Sequence, residues 1–125
     1  MNYSFTHCYD GDKKTSVGLK IKGKEYIGKS CCCDEDTPSE IKGGIIAEMK
    51  AWMEYYKDKR REYYKKEQII KETYGRMFDI LKEHPDALTE EFISKAYDSA
   101  IKENYNHILI YTHKIEFLKK KIALF

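Results

Sequence analysis

The sequence predicts an α+β fold: a three-stranded antiparallel β-meander packed on a long helix, then an antiparallel C-terminal helix completing a helical hairpin. Three observations carry that expectation. Through residues 2–33 apolar and polar positions alternate, the period of half-buried strands. From Pro38 onward the apolar positions recur every three or four, the period of an amphipathic helix. The chain holds 2 prolines, and Pro38 and Pro85 bracket the first helical stretch.

The meander is expected over 1–33. Tyr3, Phe5, His7 and Tyr9 fall on one face of a first strand, with Ser4, Thr6 and Cys8 on the other. Asp10-Gly11-Asp12 is a turn signal. Val17, Leu19 and Ile21 alternate within Thr15 to Lys22, Gly23-Lys24 makes a tight connection, and Glu25 to Cys33 reads as a third strand. One face of such a sheet is apolar and needs a cover, for which the following helix is placed.

That helix is expected over 38–83. The acidic run Asp34-Glu35-Asp36 suits the positive end of a helix, and Thr37, Pro38 and Glu40 fit an N-cap, a first-turn proline and a capping-box acid. Gly43-Gly44 weakens the first turns but lets the helix lie close to the sheet or to a partner's backbone. The apolar stripe runs through Ile45, Met49, Trp52, Tyr56, Tyr63, Ile70 and Met77, with Ile41 and Ile80 at its ends. A continuous helix of this length would reach about 70 Å. It therefore either breaks near Gly75 or is covered by a second long helix.

Glu83-His84-Pro85-Asp86 stops the first helix, and Thr89 is expected to cap the second. The segment 89–123 carries the stripe Phe92, Ala96, Ile101, Tyr105, Ile108, Thr112, Ile115 and Ile122. At 125 residues the expectation is a single domain, 1–125.

Composition narrows the function classes. Apolar residues make up 42% and charged residues 35%, the balance of a globular chain, and a net charge of +2 argues against a general polyanion grip. Charge is nonetheless patchy: 34–40 is acidic and 57–66 basic. The 11 tyrosines offer apolar area and a hydroxyl together, which suits a binding surface. There is no basic region followed by an apolar run as in a secretory signal, and no apolar run long enough for a membrane span, so a cytoplasmic protein with reduced cysteines and no membrane partner is expected.

Candidate chemistry is sparse. Cys31 and Cys33 share a strand face while Cys32 points away, and His7 and Cys8 also face apart, so buried reduced thiols are favoured over a metal site. His84, His107 and His113 join no nucleophile or base. A first strand ending in Tyr9-Asp10-Gly11, two further strands and a helix containing Ala47-Glu48-Met49-Lys50-Ala51 resembles the start of the ribonuclease H fold. That resemblance implies Asp10 and Glu48 as carboxylates holding a divalent metal for phosphodiester hydrolysis. No fourth strand with a third carboxylate follows, and the simpler reading makes Asp10 a turn residue and Glu48 a solvated helix residue.

The run Tyr55 to Lys66 interleaves bases and aromatics, as surfaces that hold phosphates and stack on bases do; the competing reading is a solvated helix face. Tyr56 and Tyr63 lie on the apolar stripe, leaving Tyr55 and Tyr64 for a partner. The candidate partner-binding residues are Tyr55, Lys57, Lys59, Arg60, Arg61, Tyr64 and Lys65.

Lys29 to Ala51 joins a strand containing Cys31, the acidic Asp34-Glu35-Asp36, Gly43 or Gly44, and Ile46-Ala47 to Ala51. This resembles small proteins of phages and integrative elements, among them anti-CRISPR inhibitors. The resemblance implies a non-catalytic protein that occupies a bacterial defence nuclease or its guide RNA, without a cofactor. The alternatives are a stand-alone RNA- or DNA-binding protein and the metal-dependent nuclease; a homodimer through the uncovered end of the long helix is compatible with either binding reading.

Overall fold

The computed structural model of the chain describes residues 2–10, 14–31 and 40–125. The elements run β1 (Tyr3–Asp10), β2 (Lys14–Ile21), β3 (Lys24–Cys31), α1 (Glu40–Glu83) and α2 (Ala87–Ala123). The fold is α+β, as the sequence predicts. The turn at Gly11, the cap at Thr37-Pro38, the acidic run at 34–36, and Cys32 and Cys33 lie outside the described residues.

The strands form one antiparallel sheet in the order β1-β2-β3. β2 and β3 meet at a two-residue turn, Lys22-Gly23, where both residues take positive φ (50° and 81°). That geometry matches the right-handed twist of the paired strands, and Gly23 adopts it without side-chain strain. The register aligns Phe5, Leu19 and Tyr26 in one row, then His7, Val17 and Gly28 in the next. These rows share the apolar face, on which Val17, Leu19 and Ile21 are buried.

α1 begins by running antiparallel to β3. The Ser30 hydroxyl donates to the Gly43 carbonyl (2.9 Å), the Tyr26 and Tyr55 rings meet edge to face (5.4 Å), and the Tyr26 hydroxyl donates to Asp58 (2.6 Å). The match is geometric. Two strand residues advance about 6.6 Å and four helix residues about 6 Å, so every second residue of β3 meets one helical turn. The closest approach is at Gly28, where a Cβ would fall on the Ala47 carbonyl oxygen and 2.5 Å from the Ala51 nitrogen. At Gly43 a Cβ would lie 2.9 Å from the Thr15 hydroxyl, so this glycine does let the helix lie close to the sheet.

Which helix row faces the sheet differs from the expected stripe. Ala47, Ala51 and Tyr55 are buried with Val17, Leu19 and Ile21, while Trp52 and Tyr56 pack at the edge of that cluster. Ile41 and Ile45 are exposed. Small residues win the central row because backbone contact over Gly28 leaves no room for branched side chains.

α1 is continuous through Gly75, so the helix does not break there. α2 starts earlier than expected, and its cap is Asp86 rather than Thr89. The Asp86 carboxylate accepts from the Leu88 and Thr89 backbone N–H groups (3.1 and 3.4 Å) and from the Thr89 hydroxyl (2.9 Å), and these bonds hold its pKa below the ordinary carboxylate value.

Two compact units make up the chain: Met1–Asp58 with His113–Phe125, and Lys59–Thr112. The first holds the sheet, the start of α1 and the end of α2, where Ile115 is buried. The second is a helical hairpin. Its antiparallel register is set by the Tyr63 ring stacked on His107 (4.7 Å) and Tyr111 (5.8 Å), and by Tyr74 and Phe78 on Tyr97 (5.4 and 6.5 Å). Inside it the Asn104 side chain donates to the Tyr63 carbonyl (2.8 Å). Phe92 and Tyr105, expected on the buried stripe of the second helix, are exposed instead.

Candidate functional site

The basic-aromatic run lies on α1 and divides by orientation. Tyr55 is 8% exposed and belongs to the sheet-facing core, which removes it from the candidate surface. The reason is its place in the row Ala47, Ala51, Tyr55, four residues apart. Lys57 is half-buried beside Glu54 (3.4 Å), and Lys59 is half-buried beside Glu62 (3.4 Å). Arg60 turns toward α2, the second helix of its own hairpin, where its guanidinium donates to the Thr112 hydroxyl at 3.4 Å while that hydroxyl donates to the Ile108 carbonyl. Arg60, half-buried, is thus held within the hairpin, unlike its exposed neighbour Arg61.

Arg61, Tyr64 and Lys65 are exposed, Tyr64 by 50%. Their spacing of three and four puts them on one side of the helix. Two flexible cations flank an aromatic ring that presents half its surface to water. Lys66, not among the expected residues, sits with its ammonium 4.5 Å from the Tyr63 ring centroid, which ties this cation to the inward ring of the hairpin. Sequence periodicity could have separated Tyr63 from Tyr64, and it did; it could not orient Arg60, because that depends on where α2 lies.

The same hairpin carries large apolar side chains in the open: Leu88 (80%), Phe92 (74%), Ile80 (63%), Ile69 (60%) and Tyr105 (55%). Its buried residues are Asn104 and Ile108.

The remaining expected chemistry falls elsewhere. Glu48, the helix carboxylate of the ribonuclease-like resemblance, accepts from His7 Nε2 at 2.6 Å and so ties α1 to β1. The Asp10 side chain lies outside the described residues. Among the described residues, no three His, Cys, Asp or Glu side chains stand together as metal ligands. Cys8 and Cys31 are exposed, not buried, since the register places them on the sheet face opposite the helix. In the sheet-bearing unit the Tyr56 phenol is pushed above its usual pKa by burial and then by neighbouring Tyr55, and Lys114 lies over its ring (5.1 Å). Among the described residues, no helix is long and apolar enough to cross a membrane.

Compared with known proteins, the chain matches no protein-family model, no curated sequence and no solved structure.

Proposed function

We propose that this chain is a non-catalytic binding protein that inhibits a bacterial defence nuclease by docking its helical hairpin, residues 59–112, on the effector complex where guide RNA is handled. One observation carries the reading: the hairpin exposes Ile69, Ile80, Leu88, Phe92 and Tyr105 while also presenting Arg61, Tyr64 and Lys65. Exposed apolar side chains of this size suit contact with a protein partner. A cation–aromatic–cation run beside them suits phosphates and unstacked bases. Docking of this kind needs no catalytic group of its own. The resemblance of Lys29 to Ala51 to small phage and mobile-element proteins points the same way.

The test is cleavage of target DNA by purified RNA-guided nucleases of the host, with and without the chain. Inhibition is expected, with loss of at least tenfold in potency for the Arg61→Glu/Lys65→Glu variant. Inhibition that survives both this variant and Phe92→Ser would remove the hairpin from the mechanism. A chain that inhibits no nuclease but binds free RNA, with affinity falling steeply as salt rises, is instead a stand-alone nucleic-acid-binding protein.

A further inference from the structure

The sheet-bearing unit holds a cleft that the hairpin reading does not use. It has a volume of about 640 Å³ and is bordered by Lys14, Ser16, Lys29 and Lys50, with the exposed thiols of Cys8 and Cys31 at its margin. The register explains the gathering. Cys8, Ser16 and Lys29 form one row across all three strands, and Lys14 and Cys31 are paired in the next, so their side chains share the sheet face opposite the helix. Lys50 arrives from α1, where the helix crosses Gly28 so closely that a Cβ there would stand 3.0 Å from the Lys50 Cβ.

Among the described residues no carboxylate lines the cleft, and Lys14, Lys29 and Lys50 form no ion pair. Nearby lysines of the same unit do have partners: Lys24 with Asp58 at 3.5 Å and Lys57 with Glu54 at 3.4 Å. Glu54, one turn along from Lys50, is thus engaged with Lys57. Asp10 stands opposite Lys14 in the register, so Lys29 and Lys50 are the cations that define the site. Unpaired ammonium groups facing one concave space repel one another, and an anion placed between them relieves that repulsion. Lysine holds phosphate as a point charge on a flexible stem, and the Ser16 hydroxyl adds a donor. A volume in the range of small-molecule sites leaves room for a group attached to the phosphate.

We propose that this cleft is a phosphate-binding site, taking the phosphate of a nucleotide or of a nucleic-acid backbone between Lys29 and Lys50. The site stands on the sheet and the start of α1 and is independent of the hairpin surface.

Amide shifts of the ¹⁵N-labelled full chain test it, with three probes: inorganic phosphate, ATP and a uridine octanucleotide. Saturable shifts are expected at Ser16, Lys29, Ser30 and Lys50. Saturation by ATP identifies a nucleotide site, and saturation by the octanucleotide alone identifies a backbone site; either supports the proposal. Lys29→Gln/Lys50→Gln should weaken binding at least tenfold with unchanged circular dichroism, while Lys29→Arg/Lys50→Arg keeps it. Should the double glutamine variant fold poorly, Lys29→Gln alone is read in the same way. Arg61→Glu/Lys65→Glu should leave the cleft shifts intact, which separates this site from the hairpin. The proposal is overturned if no cleft amide moves with any probe, or if the glutamine variant binds as the unaltered chain does.

Discussion

The sheet-bearing unit and the hairpin share the same two helices but use them in opposite ways. Against the sheet, α1 turns its smallest residues inward, so Ala47 and Ala51 bring helix backbone onto Gly28 and the row ends in a buried Tyr55. In the hairpin, α1 meets α2 through stacked rings at Tyr63, His107 and Tyr111 and through one buried amide, with Ile108 its one buried aliphatic side chain among the described residues and Ile69, Ile80, Leu88 and Ile110 exposed. Each fully buried Leu or Val side chain contributes about 1.5–3 kcal/mol relative to exposure, so the stability of the chain concentrates in the sheet-bearing unit. Two helices alone cannot bury a thick core. Large apolar side chains stay exposed in both units, Ile41, Phe117 and Leu124 in one and Ile69, Leu88 and Phe92 in the other, so what separates the two units is what each buries.

A pair of glycines gives the sharpest test of that contrast. Gly28→Val should destabilise the chain by more than about 3 kcal/mol, because its Cβ would overlap helix backbone that cannot swing aside. Gly75 has nothing within 4 Å of its would-be Cβ, so Gly75→Ala should stabilise by up to about 1 kcal/mol. Thermal unfolding followed by circular dichroism reads both, and similar effects at the two positions would break the comparison.

Side-chain truncation comes next. Leu19→Ala should cost about 2–5 kcal/mol, since the side chain is fully buried, whereas Phe92→Ala should change stability by less than about 0.5 kcal/mol. Denaturant midpoints at constant slope are the measurement. Between those two, Asn104→Ala should cost about 1–2 kcal/mol by removing the bond to the Tyr63 carbonyl, with the loss confined to hydrogen-exchange protection in 59–112.

The least effect is expected at Asp86. Bonds from Thr89 and Leu88 depress its folded pKa below the unfolded value. Its contribution is therefore present above the ordinary carboxylate range and is lost as pH falls through that range and below. The first turn of α2 should fray in acid, and Asp86→Asn should flatten that pH dependence at the Ala87 to Glu90 amides without touching the sheet.

The strands and the two helices were legible in the sequence because alternation, three-four spacing and proline are local signals. The row facing the sheet was not. Alanine and glycine carry little hydrophobic weight, and the reason for their burial lies across the interface at Gly28. Tyr55 followed from that row and was misassigned with it. Arg60 and Arg61 are neighbours with opposite fates, decided by the position of Thr112 far along the chain. Tyr64 and Lys65 were legible because an outward position asks nothing of distant residues. Asp86 and Thr89 compete for one cap, and the aspartate takes it because a carboxylate accepts three bonds at once.

The division of the chain has a consequence for synthesis. The sheet and the start of α1 leave the ribosome first, yet their unit also includes His113–Phe125, which emerges only after the whole hairpin. A nascent chain halted before His113 still lacks Ile115, and the hairpin must be made before that side chain can be buried. The hairpin thus serves as the closing loop of the unit it leaves, and a slow hairpin would delay the last step of the core.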